Sequence, residues 1–147
     1  MDENDIFLTL KGIPGQEKDP KDAIRIVHWS WGETRGEKVN SFDFHFVTKI
    51  NKASGKILEY CANGKEIPEA TLICREAVAG AQEIYLQIKL TKCKVSSFTT
   101  SVDPDNPDVT TVYDNFNLKF EQIDYDYKRG FNINTKLKLP QPAQGRA

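Results

Sequence analysis

Residues Ile24–Glu33 read IRIVHWSWGE, and the placing of this stretch decides the fold. It holds both tryptophans of the chain. Trp29 and Trp31 are two apart, so on a strand they share one face, and Val27 joins them there, because strand side chains alternate. Ile26, His28 and Ser30 then point the other way, and Gly32 ends the run. One face is a heavy aromatic anchor and the other is small and polar. A strand with two such unlike faces belongs to a curved sheet with two different surroundings. Two tryptophans on one face can stack on a sugar or a nucleobase, but they are more often core or interface anchors.

The same alternation runs through most of the chain. Ile6, Leu8 and Leu10 line one face of a first strand. Gly12–Pro20, with two glycines and two prolines, reads as a loop. Gly32–Asn40 is polar, has no apolar pattern, and reads as a second, exposed loop. In Ser41–Ile50, Phe42, Phe44, Phe46 and Ile50 fall on one side, and Asp43, His45 and Lys49 on the other, which is the pattern of a half-buried strand. Ala70, Leu72 and Cys74 alternate with Thr71, Ile73 and Arg75. Ile84, Leu86, Ile88 and Leu90 alternate with Tyr85, Gln87, Lys89 and Thr91. Lys94–Thr100 is a weaker strand, and Ser101–Asp108, with Pro104 and Pro107, is a turn-rich connection. Phe116, Leu118 and Phe120 share even parity, whereas Ile123, Tyr125 and Tyr127 are odd. The phase slips near Glu121–Gln122, where a bulge or barrel corner would turn the later aromatics back to the core. Phe131, Ile133 and Leu137 give a last alternation.

One segment has helical spacing. In Ala53–Gly64, Ile57, Leu58 and Cys61 form a stripe, Ser54 is the N-cap candidate, and Gly64 stands where a left-handed C′ residue ends a helix. A helix of about ten residues is too short to persist alone and must dock on the sheet. About eight strands and one short helix predict a mainly β, antiparallel fold, a closed or nearly closed barrel or a two-sheet sandwich. One domain over residues 1–140 is expected, with Gln141–Ala147 as a frayed tail.

Bulk properties narrow the function. The chain has 147 residues and a net charge of −1, from 20 basic and 21 acidic side chains. That size is ordinary for one domain with its own core. The charge gives neither the clustered positive footprint of a nucleic-acid binder nor a polybasic membrane signal. It does leave self-association unopposed by long-range repulsion. No apolar run approaches the ~20 residues of a membrane span. The acidic start MDENDIFLTL lacks a signal-peptide core, so the chain is expected to be made in the cytoplasm. Cys61, Cys74 and Cys93, odd in number and widely spaced, read as free thiols of a reduced compartment.

Catalytic motifs are not found. GIPGQEKD lacks the Lys-Ser/Thr of a phosphate loop, and there is no GxSxG elbow. His28 and His45 lie on polar strand faces with no neighbour at ligand spacing, so a metal site built from them and a cysteine is disfavoured. A Cys61–His45 dyad can be written down, but Cys61 falls on the stripe assigned to the core. Glu121, Asp124 and Asp126 read as a solvated face. No catalytic residue, cofactor or metal is expected.

At this point the residues carry a resemblance. IFLTLKGIPGQEKD, IVHWSWGE, FDFHFVTKINKASGKILEYCANGKEIPEATLICR, YLQIKLTKCKVSS and NFNLKFEQIDYDYK, in this order over most of residues 6–128, resemble the Hcp family, the tube protein of bacterial type VI secretion systems. The Trp-Ser-Trp-Gly unit, the Lys-Ile-Asn-Lys-Ala-Ser entry to a short helix with a Cys near its end, and the Val-Ser-Ser after the long strand are specific in combination. The resemblance implies a two-sheet, phage tail-tube-like β-barrel with one helix at its side. It implies a homohexameric ring, rings stacked into a hollow tube, a contractile sheath, a VgrG-type spike, and small effectors carried and protected in the lumen. It also implies export to the extracellular space or a target cell. Enzymatic activity in the family usually arrives as an extra C-terminal domain, for which the chain has no room after its last strand pattern. The sequence departs from the family pattern in three places. Only Glu33–Asn40 fills the space of a usually longer Gly-rich loop, Gly15-Gln16-Glu17 replaces Gly-Glu-Ser, and Gly55 stands where proline is common. Two other classes are kept open: a monomeric barrel that binds a small apolar ligand in its interior, and an enzyme with a site built from scattered residues, for which no local motif speaks.

Strand parity turns the resemblance into residues. Trp29, Trp31, Phe44 and Phe46, with Val27 and Phe42, are expected as core anchors. His28, Ser30, Asp43 and His45 are then the candidates for the lumen wall, with Ser30 nearest to cargo. Gly12, Gly15, Gln16 and Glu17 in the first loop, and Glu33, Arg35, Glu37 and Lys38 in the second, are the candidates for contacts between stacked rings.

Overall fold

The computed structural model describes residues 5–35, 39–41, 43–102, 111–129 and 132–138. Eleven strands and one helix follow in order: β1 (Asp5–Leu10), β2 (Ile24–Arg25), β3 (His28–Ser30), β4 (Glu33–Arg35), β5 (Val39–Ser41), β6 (Phe44–Lys49), α1 (Ser54–Asn63), β7 (Ile67–Val78), β8 (Ala81–Val102), β9 (Val112–Lys119), β10 (Gln122–Tyr127) and β11 (Ile133–Lys138). All pairings are antiparallel, along the path β2-β1-β7-β8-β9-β6-β3, with β10 on β8 and β11 on β10. β8 is long enough to serve two sheets. Its first half lies between β7 and β10, and its second half pairs with β9. The change falls beside Lys92, whose φ of 56° bends the strand.

The expected second strand is two strands. Ile24 pairs with Leu8 of β1, whereas His28, Trp29 and Ser30 pair with β6. Between them the Ile26 amide donates to the Ile6 carbonyl and the Val27 amide to the Val47 carbonyl, both at 2.8 Å. The chain therefore leaves one sheet and joins the other within two residues, and the two ends of the pairing path meet here. The sheet curls back on itself through this segment. The switch also shifts parity, so Ile24 and Ile26 are buried together with the tryptophan side, and Val27 is 45% exposed. The expectation for Val27 and Ile26 is reversed for that reason. A like break occurs between β9 and β10 at Phe120–Glu121, where the sequence phase slips. Ile123 returns to the core, but Tyr125 is 38% exposed, because the hairpin of β10 and β11 extends beyond the cover of the second sheet.

The other corrections are local. Gly32–Asn40 is not a plain loop, because β4 and β5 pair within it as Glu33↔Ser41, Thr34↔Asn40 and Arg35↔Val39. Lys94–Thr100 is the continuation of β8 and not a separate strand. Ile50 lies just past the end of β6 and is 56% exposed. Phe42, Phe131 and residues 103–110 and 139–147 lie outside the described residues.

The helix ends as expected on Gly64, at φ 65° and ψ 25°, with its amide bonded to the Tyr60 carbonyl. It starts differently. Ala53 holds the N-cap position without a side-chain cap, and Ser54 is the first helical residue. The Ser54 hydroxyl instead donates to Asp114 Oδ2 at 2.5 Å, while Thr100 donates to Oδ1 at 3.2 Å. Asn51 shapes the turn that leads into the helix, its Oδ1 accepting from the Ala53 amide at 2.8 Å. The buried Asp114 carboxylate thus ties the positive end of the helix to the sheet, where a negative charge is favourable. Ala53, Ile57 and Tyr60 form the buried face, Cys61 is half-buried against the core, and Leu58 is exposed.

Val78 and Ala81 are the flanks of a two-residue hairpin turn. Ala79 has φ 52° and Gly80 φ 83°, the left-handed pair that favours Asn-Gly and strains an alanine. An Ala79→Asn variant is expected to gain about 0.5–1 kcal/mol, read as a rise in the denaturant midpoint at unchanged m.

Candidate functional site

The second sheet, ordered β3-β6-β9 and the distal half of β8, has two unlike faces. Its inner face carries stacked aromatic rings. Phe44 and Phe46 lie 5.0 Å apart, Phe46 and Phe116 5.2 Å, Trp29 and Phe44 5.5 Å, and Trp31 and Phe44 6.0 Å. Phe44, Phe46 and Phe116 are fully buried, and both tryptophans are partly buried against the same cluster. Of the four expected anchors, Phe44 and Phe46 lie inside this cluster, and Trp29 and Trp31 pack against it.

The outer face is a row of small polar groups. Register places Ser30 opposite His45, His45 opposite Asn117, and Asn117 opposite Ser97, one residue from each of the four strands. His45 Nδ1 donates to Asn117 Oδ1 at 2.6 Å, which restrains the imidazole within the row. One step along, His28, Val47, Asn115 and Thr99 form a parallel row. On the other side stands Asp43. Its Oδ2 accepts from the Ser96 hydroxyl at 2.6 Å, and its Oδ1 faces Lys119 Nζ at 3.4 Å. Ser96 is the residue inserted where the β8–β9 register shifts between Val95 and Ser97, so a bulge aims its hydroxyl at Asp43. All four lumen candidates, His28, Ser30, Asp43 and His45, lie on this one face. The alternation of Asn115 and Asn117 with Phe116 and Leu118 is visible in the sequence. That Asn117 stands beside His45 is not, because 72 residues separate them.

The loop candidates divide. Gln16 is exposed, and its Oε1 accepts from the Lys52 amide at 2.9 Å, which ties the first loop to the approach of α1. Glu17 reaches Arg25 at 3.8 Å. Gly12 is exposed, but Gly15 is buried against the Ala23 backbone, so its place is inside the loop and not on a contact surface. Glu33 and Arg35 belong to β4, and Glu37 and Lys38 lie outside the described residues.

Groups considered for chemistry are kept apart. His45 is on the outer face of the second sheet, and Cys61 packs toward the core from α1, so the dyad is not assembled. Burial pushes the Cys74 thiol up, and the Cys93 thiol up to about 12, so both stay protonated core thiols at neutral pH. Among the described residues no three of His, Cys, Asp and Glu stand together as metal ligands. Asp124 and Asp126 lie on the outer face of the first sheet, both bonded by the Asn134 amide. That bond, followed by Lys136, holds Asp124 below the usual carboxylate range. No described helix is long and apolar enough to cross a membrane. Sequence reading missed Phe7, which is sealed on the outer face between the guanidinium groups of Arg25 and Arg75, 4.6 and 4.8 Å from its ring. Its neighbours Ile6 and Leu8 alternate correctly and gave no signal for it.

This is a mainly β, antiparallel fold whose long sheet curls back on itself around an aromatic and aliphatic core, with one short helix at its side. The family model described as type VI secretion system effector, Hcp, matches residues 7–127, and the chain belongs to this Hcp family of type VI secretion proteins. Protein hcp1 of Pseudomonas aeruginosa is 31% identical over 137 residues, covering 84% of this chain and 83% of the relative. The crystal structure of Hcp1 from Salmonella typhimurium superposes with a TM-score of 0.82 at 27% identity, over 93% of this chain and 95% of that one. A type VI secretion system effector from Yersinia pestis superposes with a TM-score of 0.78 at 25% identity, over 92% of this chain and all of that one.

Proposed function

We propose that this chain is the tube subunit of a type VI secretion system. Copies associate head-to-tail into a six-membered ring, the rings stack into a hollow tube, and the outer face of the second sheet lines the channel. The machinery's contractile sheath surrounds the tube and a VgrG-type spike caps it. The chain is made in the cytoplasm and leaves the cell with the tube, with small effector proteins in the lumen. Its part is structural, and no catalytic step is assigned to it.

The observation that carries the reading is the two-faced second sheet. A channel wall must be rigid from behind and weakly adhesive in front. The stacked rings of Trp29, Phe44, Phe46 and Phe116 supply the first. The row Ser30–His45–Asn117–Ser97 supplies the second, with hydroxyl and amide groups that bond many partners without holding one strongly. The buried rings of Phe44, Phe46 and Phe116 inside the curl favour this reading over the monomeric ligand barrel.

The test is cargo retention. Ser30→Gln and Ser30→Asp place a larger group, or a charge, in the middle of the row. Proteins that co-purify with the rings from a secreting strain, quantified by mass spectrometry, are expected to fall by about tenfold, equivalent to about 1.4 kcal/mol. Unchanged retention with both variants would put the lumen on another face.

A further inference from the structure

Among the described residues, the inner faces of both sheets run out past the core and end uncovered, at two separate places. On the first sheet, register puts Ile123 beside Leu137, Tyr125 beside Thr135 and Tyr127 beside Ile133, and the same β10 residues beside Leu90, Ile88 and Leu86 of β8. The core face of β8 therefore continues onto the β10–β11 hairpin. There the burial stops: Ile123 is buried, Tyr125 and Leu137 are exposed, and Ile133 is 54% exposed. Every residue of β11 is exposed, and among the described residues its outer backbone edge has no partner. A two-stranded ribbon is marginal by itself, and an open edge with an apolar face invites another chain. Lys136 and Lys138 point to the opposite face and leave this one unguarded.

The second run-out is on the other sheet. Thr48, Asp114 and Thr100 form the last inward row under the start of α1. One step beyond, the Ile50 amide donates to the Val112 carbonyl at 2.9 Å, and Val112 pairs with Val102. Ile50, Val112 and Val102 thus form an aliphatic patch, with Val102 52% exposed. The two patches flank opposite halves of β8. One is a broad ribbon with tyrosine rings, and the other is small and aliphatic. Two unlike, separated, apolar surfaces on one chain are what a head-to-tail contact between copies uses, whereas a two-fold contact needs one self-complementary patch. The net charge of −1 leaves such an approach unopposed.

We propose that the hairpin face of Tyr125, Ile133 and Leu137 packs on the Ile50–Val102–Val112 patch of a second copy. This assigns residues to the contact between subunits and rests on the ring reading given above.

The test uses the full chain in three forms: wild type, an Ile133→Glu/Leu137→Glu variant, and an Ile50→Glu/Val102→Glu variant. Leu137→Ser and Val102→Ser serve as milder versions, and circular dichroism confirms folding of each. Mass is read by size exclusion with light scattering across a concentration series. Each double variant is expected to need at least about tenfold more protein to associate than wild type. A one-to-one mixture of the two variants is expected to form a heterodimer and nothing larger, because each brings one intact face. Variants that keep the wild-type mass, or a mixture that stays monomeric, overturn the assigned contact and leave the ring reading standing. A wild type that is monomeric throughout overturns the ring reading itself.

Discussion

A Phe44→Ala variant is expected to lose about 3–5 kcal/mol of stability, the range for deleting a fully buried aromatic ring. Phe44 is the hub of the aromatic cluster. It meets Trp29, Trp31, Phe46 and Phe120 at centroid distances of 5.5, 6.0, 5.0 and 6.3 Å. Its removal opens a cavity between Trp29 of β3, Phe46 of β6 and the strand-flanking Trp31 and Phe120, whose packed rings cannot collapse into it. Thermal unfolding followed by circular dichroism is expected to show a drop of roughly 10–20 °C. A drop below about 3 °C would mean that the rings are not packed as described. The consequence reaches the outer face, because the same strands that bury these rings hold Ser30, His45 and Asn117 in register.

Gly15→Ala is expected to be strongly disruptive for a single added methyl group, because the Cβ position is occupied. A Cβ on Gly15 would stand 2.3 Å from the Ala23 carbonyl oxygen, 2.6 Å from its carbon and 2.8 Å from Ile24 Cγ1. The backbone cannot retreat cheaply. The Gly15 amide bonds the Asp22 carbonyl at 2.8 Å, and the Glu17 amide bonds the Ala23 carbonyl at 3.1 Å. Ala23 and Ile24 are themselves buried at the start of β2. Overpacking of this kind costs about 1–3 kcal/mol, with backbone strain in addition. The readout is loss of hydrogen-exchange protection at the Gly15 and Glu17 amides together with a lower unfolding midpoint. Gly55→Ala is the control. Nothing lies within 4 Å of its Cβ position in α1, so that change is expected to stabilise the helix by about 0.5–1 kcal/mol. If both variants unfolded at the same midpoint as wild type, the first loop would not be clamped to β2.

The sequence was most legible where one strand stays in one sheet. Phe44 and Phe46 alternate with His45 from one end of β6 to the other, and their faces are as expected. It was least legible at the corners. Ile24–Trp31 changes sheets at Ile26–Val27, so a single alternation assigned Val27 to the core and Ile26 to the surface, and both were reversed. The slip at Glu121–Gln122 was visible because the aromatics themselves change parity. The slip at Val27 was hidden because Ile26 and Val27 are both apolar. The polar stretch Gly32–Asn40 gave no strand signal, because it carries no apolar alternation and β4 and β5 pair only with each other among the described residues. Leu58 fitted the helical stripe with Ile57 and Cys61, but the helix buries Ile57 with Tyr60 and turns Leu58 outward. Ser54 had the right chemistry for a cap and was drawn one residue into the helix by Asp114, which lies 60 residues away. The polar face could be named from β3 and β6, whereas its other half, Asn117 and Ser97, depends on pairings that only the fold supplies.

The central claim is that this barrel is a tube subunit whose polar sheet face looks into a channel. Negative-stain microscopy of the purified full-length protein tests it most directly. Six-fold rings with a central hole, some of them stacked, are the expected result. A field of uniform single barrels, with no ring at any concentration, would contradict it.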